Sequence, residues 1–252
     1  MNGELERLLA EACAGSEFAL ARLISIAEND EERALLIRQR LGSQVGRAYR
    51  VGVTGPPGSG KSTLIDKLIG CFRARGLSVG VVCVDPSSPL SGGAILGDRI
   101  RMEQHYADPG VFIRSMASRG EPGGVAKAAA AAVDLLDASG KDVVIVETVG
   151  IGQEGVEVTK LVDTTVLVLA PGWGDDLQLM KAGVLEVADV IVVNKADSGG
   201  ESLIDSLREV LGLQGTGGSP AVVATEAVKG RGMDELCEEL CLRWDGRDPT
   251  RR

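Results

Sequence analysis

Residues 55–62 read Gly55-Pro56-Pro57-Gly58-Ser59-Gly60-Lys61-Ser62, a complete G-x-x-x-x-G-K-S, and they stand between an apolar run, 51–54, and a helical pattern over 62–75. A buried strand, a glycine-rich turn and a helix in that order are the first βα unit of a phosphate-binding sheet. Glycines 55, 58 and 60 permit backbone angles and close approaches that a Cβ would block, so successive N–H groups can converge on phosphate oxygens. The helix beginning near Lys61 adds its positive dipole end. Lys61 brings charge to the β- and γ-phosphates, and the Ser62 hydroxyl suits Mg²⁺. With Thr63 following, Gly55, Pro57, Gly58, Ser59, Gly60, Lys61, Ser62 and Thr63 form the expected phosphate cradle. The bland alternative, an ordinary turn with a solvated lysine, has to reproduce every position of the motif in the context it requires.

Further short apolar runs at 79–84, 143–146, 165–169 and 190–193, with a weaker one at 221–224, alternate with helical stretches. Runs without polar alternation suit strands covered on both faces. The fold expected is an α/β P-loop NTPase with a mostly parallel central sheet and helices on both faces. The alanine-rich segment 126–138 is a predicted helix with Val125, Ala129, Val133 and Leu136 on one face. Upstream, Leu5, Leu8, Leu9, then Leu20, Leu23, Ile24, then Leu35, Leu36 recur at helical spacing, broken near Gly15 and Asn29-Asp30, and predict two or three short helices. The division expected is an N-terminal helical extension at 1–46, a nucleotide-binding domain at 47–245 and a flexible tail at 246–252.

Asn194-Lys195-Ala196-Asp197 follows the run 190–193, on the carboxyl edge where doubly wound sheets bind ligands. An aspartate there can accept from the N1–H and 2-amino group of guanine. Adenine has neither, so the site would select GTP and GDP. The same residues also suit a turn capped by Asn194 or Asp197; their place downstream of the phosphate loop favours base recognition. The loop holding Glu226, Ala227 and Val228 can reach the base from the other side through the Ala227 N–H. Many guanine sites carry Ser-Ala where this chain carries Glu226-Ala227, which leaves the role of the Glu226 side chain open.

Asp85 ends the run 79–84, Asp98 closes a glycine-rich loop, and Glu147 ends the run 143–146. Each can hold Mg²⁺ directly or through its waters, and each also suits a helix cap. Gly150 can offer its N–H to the γ-phosphate, which makes 150–155 a switch candidate. Lys61, Asp98, Glu147 and Gly150 are the expected catalytic set. Ile151 stands where Ras-type enzymes have the glutamine that orients the attacking water, and Gln153 is displaced by two positions, so unaided hydrolysis is expected to be slow, with a partner or a rearranged loop completing the site. His105, the single histidine, falls on a predicted helix at 99–106 and reads as a surface or packing residue; Arg99, Arg101 and Arg119 could offer charge to a transition state or form weak surface pairs.

The net charge is -9 with no basic cluster, so no nucleic-acid surface is expected. The five cysteines match no paired metal signature, and Cys237 and Cys241 read as a buried stripe. The start of the sequence lacks a basic, apolar leader, and no segment has the apolar length of a membrane span, so a soluble, cytoplasmic protein with no membrane partner is expected.

Several longer stretches resemble one family. These are Val84-Asp85-Pro86-Ser87-Ser88-Pro89, Gly92-Gly93-Ala94-Ile95-Leu96-Gly97-Asp98-Arg99-Ile100-Arg101-Met102 and Glu147-Thr148-Val149-Gly150-Ile151-Gly152-Gln153. Pro171-Gly172-Trp173-Gly174-Asp175-Asp176-Leu177-Gln178, Lys181-Ala182-Gly183 and Ala19-Leu20-Ala21-Arg22-Leu23-Ile24-Ser25 extend the likeness to roughly 15–243. Together they resemble the cobalamin-mutase-associated GTPases of the G3E class, also described as arginine/ornithine transport ATPases. The resemblance implies GTP/GDP and Mg²⁺ as ligands, with Lys61, Ser62, Asp85, Asp98 and Glu147 as the phosphate and magnesium set. It implies a metallochaperone that docks on an adenosylcobalamin-dependent acyl-CoA mutase, gates cofactor loading from an adenosyltransferase and helps replace inactivated cobalamin, with 172–183 relaying nucleotide state. Members of the family usually continue into a C-terminal arm that holds a homodimer; this sequence stops at Arg252, so a homodimer stays open but without that arm, and contact with a mutase could supply the interface. The competing readings are a nickel- or cobalt-insertion GTPase, which would call for Cys/His clusters, and an ATP-dependent kinase linked to amino-acid transport.

Overall fold

The computed structural model describes residues 2–85, 102–117, 124–148, 160–172, 184–213 and 220–245. Among them, seven strands form one sheet: β1 (Tyr49–Thr54), β2 (Val79–Asp85), β3 (Val111–Ala117), β4 (Val143–Thr148), β5 (Thr164–Leu169), β6 (Val190–Asn194) and β7 (Ala221–Thr225), in the order β3-β2-β4-β1-β5-β6-β7. The pairs β1–β5, β2–β3, β5–β6 and β6–β7 are parallel. Every residue of β1, β4, β5 and β6 is buried, which is why their central stretches, 51–53, 143–146, 166–169 and 190–193, read as apolar runs. The α/β P-loop architecture expected from the sequence is the one observed. By internal contacts the described residues fall into two compact units, one within Met1–Arg50 and Phe72–Glu147, the other within Val51–Cys71 and Thr148–Arg247.

The first unit begins with α1 (Asn2–Cys13), α2 (Glu17–Asn29) and α3 (Glu31–Leu41). The breaks at Gly15 and Asn29-Asp30 are N-caps: Ser16 Oγ accepts from the Ala19 N–H at 3.3 Å, and Asp30 Oδ1 from the Arg33 N–H at 3.0 Å. α3 buries Ala34, Ile37 and Leu41, whereas Leu35 is exposed, so its packed face is one step round from the Leu35-Leu36 pair expected.

Helices α2 and α3 pack on α5 (Gly124–Ala138), which also contacts β2. Covered from both sides, α5 buries Ala128 to Ala132 all round rather than on one stripe. Small side chains let its neighbours approach closely. It also buries two carboxylates, Asp134 and Asp137, near its C-terminal end, where the helix dipole disfavours negative charge. Their compensation is local. Arg50 Nη2 lies 2.9 Å from Asp134 Oδ1 and 2.7 Å from Asp137 Oδ2, and Arg38 Nε donates to Asp134 Oδ2 at 2.7 Å. The N–H groups of Gly46, Arg47 and Ala48 also converge on Asp137 at 2.7, 3.1 and 2.9 Å. This carboxylate therefore anchors the chain as it passes from α3 into β1.

The helix expected over 99–106 is present in its described part only as a 3₁₀ turn, Glu103–His105. The chain must reverse there to enter β3. Asp108 stabilises the reversal by taking the Gly110 N–H at 2.8 Å and both Nε and Nη2 of Arg73 at 2.8 Å.

In the second unit, α6 (Val184–Val187), α7 (Gly200–Leu213) and α8 (Met233–Asp245) cover β5, β6 and β7. Leu167, Leu169, Leu185, Ile191, Val193, Leu207 and Leu211 form one apolar cluster. Burying each such side chain contributes about 2 kcal/mol. The cluster packs β5 and β6 against α6 and α7, with Val222 of β7 beside it, and the loops at 195–199 and 226–232 leave from the ends of β6 and β7.

Candidate nucleotide site

The glycine-rich turn leaves β1 at Thr54 and enters α4 (Lys61–Ala74). Two of its glycines are hemmed in by neighbouring parts of the protein. A Cβ on Gly55 would strike the carbonyl of Val168 in β5, and a Cβ on Gly60 would strike the side-chain amide of Asn194. Both also have positive φ, +147° and +94°. The close approaches expected at these positions are therefore made in part to neighbouring strands and loops.

Inside the turn, Lys61 is buried and its Nζ donates to the carbonyl oxygens of Gly55 at 3.0 Å and Pro56 at 3.1 Å. The ammonium thus lies folded over its own loop, at the first residue of α4. Ser59 is wholly buried, and its hydroxyl has no hydrogen-bond partner among the described residues. A buried orphan hydroxyl costs about 1–3 kcal/mol, and in a turn that carries a lysine at a helix start it is a donor suited to an anion. Ser62 is buried in the first turn of α4, Thr63 half-buried behind it, and Pro57 and Gly58 form the exposed tip.

Asn194, the last residue of β6, is buried and acts as a hub. Its Nδ2 donates to the Ser59 carbonyl at 2.9 Å, and its Oδ1 accepts from the Thr225 hydroxyl and the Ala227 N–H, each at 3.1 Å. One side chain thereby joins the phosphate loop to the loop after β7. Lys195 adopts left-handed angles, φ 56° and ψ 40°, and is the one such non-glycine among the described residues. Its Nζ donates to the Gly58 carbonyl at 2.8 Å, laying the alkyl stem along the tip of the turn. Asp197 follows in a 3₁₀ turn, Ala196–Ser198, with its side chain at the surface.

Across from it, Glu226, Ala227 and Val228 follow β7. Ala227 is buried, and Val228 is almost fully exposed beside the loop. The Glu226 side chain is held by Lys229 and Arg231. Lys229 Nζ lies 2.8 Å from Glu226 Oε2 and 2.8 Å from Asp197 Oδ2, and Arg231 Nη1 lies 3.2 Å from Glu226 Oε1. The hydrogen bond that Lys229 donates to Asp197 holds the Asp197 carboxyl below its usual range and raises the Lys229 ammonium. The Lys229 contact likewise lowers Glu226. Sequence reasoning identified neither Lys229 nor Arg231; the alternating charges Glu226, Lys229, Arg231 were the available signal.

In the first unit, Glu147 near the end of β4 is buried, and the Cys83 thiol donates to its Oε2 at 3.7 Å. Asp85 closes β2, but its side chain, together with Asp98 and Gly150, lies outside the described residues, as do Ile151, Gln153 and the segment 173–183. No described helix is long and apolar enough to cross a membrane.

The family model for "Methylmalonyl Co-A mutase-associated GTPase MeaB" matches residues 20–246. A GTPase of Pyrococcus abyssi is 50% identical over 242 residues, covering 94% of this chain and 75% of that protein. GTPase ArgK of Escherichia coli is 38% identical over 233 residues, covering 88% of this chain and 70% of ArgK. The crystal structure of an LAO/AO transport system kinase superposes with a TM-score of 0.75 at 28% identity, over 97% of this chain and 76% of the other. Fold, phosphate turn and these matches define a P-loop GTPase of the G3E class. The chain belongs to the MeaB family of methylmalonyl-CoA mutase-associated GTPases.

Proposed function

We propose that this GTPase uses GTP binding and hydrolysis to gate adenosylcobalamin loading into, and reactivation of, a cobalamin-dependent acyl-CoA mutase in the cytoplasm. The family model, whose description names a mutase-associated GTPase, supports the partner class. The observation that carries the nucleotide reading is the Asn194 hub, which makes phosphate loop and base loop one connected unit. In this reading, backbone N–H groups of 55–63 and the Ser59 hydroxyl hold the phosphates. Lys61 leaves its carbonyl partners to neutralise the β- and γ-phosphates. Asp197 accepts from the guanine N1–H and 2-amino group, the Lys195 stem lies along the base, and Ala227 supports it from the other loop.

The candidate metal ligands Ser62, Asp85, Asp98 and Glu147 are hard oxygen donors, the type Mg²⁺ selects, so their chemistry fits that ion. Bound there, it would neutralise charge developing on the phosphates. Gly150 belongs to the γ-phosphate contact in this reading, and 172–183 to the relay toward the mutase, with an adenosyltransferase as the source of cofactor.

The test is to mix the purified chain with candidate acyl-CoA mutases and measure GTP turnover with and without each, alongside complex formation by size-exclusion chromatography. A stable complex with one mutase and a several-fold change in turnover is the expected result. No complex and no change in rate across such mutases would remove the chaperone reading and leave the GTPase.

A further inference from the structure

Glu226 stands where many guanine sites carry serine, and its carboxylate is directed to neighbouring cations. Its backbone is pinned first: the Glu226 N–H donates to the Arg231 carbonyl at 3.0 Å in an antiparallel bridge, closed through Gly230 at φ 73°. The following Gly232 admits no Cβ, which would strike the Ala224 carbonyl. This tight turn sets Lys229 and Arg231 on either side of Glu226, whose side chain is only 15% exposed. Lys229 is thereby held at one point, and from there its ammonium reaches Asp197 in the loop after the adjacent strand.

We propose that Lys229, held by Glu226, is a positioning residue for guanine recognition: it keeps the Asp197 carboxylate in one orientation for the paired N–H donors of the base. The proposal rests on the reading of Asp197 as the base acceptor. A carboxylate offers about four lone-pair sites. One ammonium on Oδ2 leaves enough for two donors from guanine while removing the rotamer freedom of a surface aspartate. A plain surface ion pair is the competing explanation, since Lys229 and Asp197 are 52% and 41% exposed and such pairs contribute little. That explanation does not account for one lysine bridging two carboxylates from loops after two different strands. The two explanations also differ in consequence. A tie between loops would affect all purine nucleotides alike, whereas a positioned carboxylate affects those presenting two donors most.

The experiment measures affinities of GDP, IDP and ADP for wild type, Lys229→Met, Lys229→Arg, Glu226→Gln and Asp197→Asn, with thermal melting of each. IDP retains N1–H but lacks the 2-amino group, so the GDP/IDP ratio reads the paired contact. Lys229→Met is expected to lower that ratio by about three- to fivefold, the reach of an ion pair of this exposure, with ADP unchanged. Glu226→Gln should act in the same direction and less, and Lys229→Arg should keep most of the ratio. Equal loss for all three nucleotides, or an unchanged ratio with a native melt, would overturn the role of Lys229. If Asp197→Asn leaves GDP over ADP unchanged, the base-acceptor reading itself fails, and that outcome is separate from the first.

Discussion

The side-chain amide of Asn194 donates to the Ser59 carbonyl at 2.9 Å, linking the end of one strand to the middle of the phosphate turn. The same residue receives Thr225 and Ala227, so three segments share one buried side chain. Asn194→Ala removes all three bonds and leaves buried groups unsatisfied. Stability should fall by about 1–3 kcal/mol in urea unfolding, and GDP affinity by at least tenfold in titration calorimetry, about the same energy expressed as binding. A variant that binds GDP as wild type does would show that the hub is decorative.

Gly60→Ala tests the close approach from the other partner. The added methyl meets the Asn194 amide and forces a side chain onto φ +94°. Nucleotide binding should be lost while the core strands persist, so the measurement is GDP affinity beside far-ultraviolet circular dichroism. Full binding by this variant would mean that the turn relaxes at no cost.

Lys61→Ala separates catalysis from folding. The lysine donates to two carbonyls of its own turn, so its loss should lower stability by about 1–3 kcal/mol and leave the fold intact. GTP turnover should drop by at least about a hundredfold, as expected when a charge that stabilises the transition state is removed. Unchanged turnover would contradict the phosphate assignment.

Asp137 gives a pH prediction. Burial alone would raise its carboxyl, yet the N–H groups of Ala48 and Gly46 together with Arg50 outweigh that and hold it below the ordinary range. A depressed native value means stabilisation that is present above the unfolded pKa, about 3.9, and is lost as pH falls through the native one. Asp137→Asn should cost about 3 kcal/mol at pH 7, and the gap to wild type should narrow as the pH falls below about 4. A gap independent of pH would assign the effect to packing.

The strands buried on both faces were legible because nothing polar interrupts them. β3 was not: Val111–Ala117 carries Arg114 and Ser115 at its centre and pairs only with β2 at the sheet edge. Arg114 is tolerable there because α2 supplies its partners, Ser25 Oγ at 2.9 Å and Glu28 Oε2 at 3.0 Å, and Glu28 also takes the Ala117 N–H at 3.2 Å. No local pattern in the sequence encodes that arrangement. The buried pair Asp134 and Asp137 was hidden in the same way, inside a helix whose alanines dominate the reading.

The site divides along the same line. Within the proposed site, Gly55 to Thr63 and Asn194 to Asp197 stand out in the sequence because phosphate and base chemistry would fix residue types at fixed spacing. Lys229 does not, because its significance comes from a tertiary contact with Asp197. Glu226 is held by Lys229 and Arg231 of its own turn, whereas the contact from Lys229 to Asp197 joins loops after two different strands.

The most direct test of the account is the affinity of the purified chain for GDP, ADP and XDP, measured for wild type and Asp197→Asn. The account predicts that wild type prefers GDP over ADP by at least about a hundredfold, the scale of two base contacts, and that Asp197→Asn loses GDP and gains XDP. Equal affinity for GDP and ADP in wild type, or a variant that still prefers GDP, would contradict it.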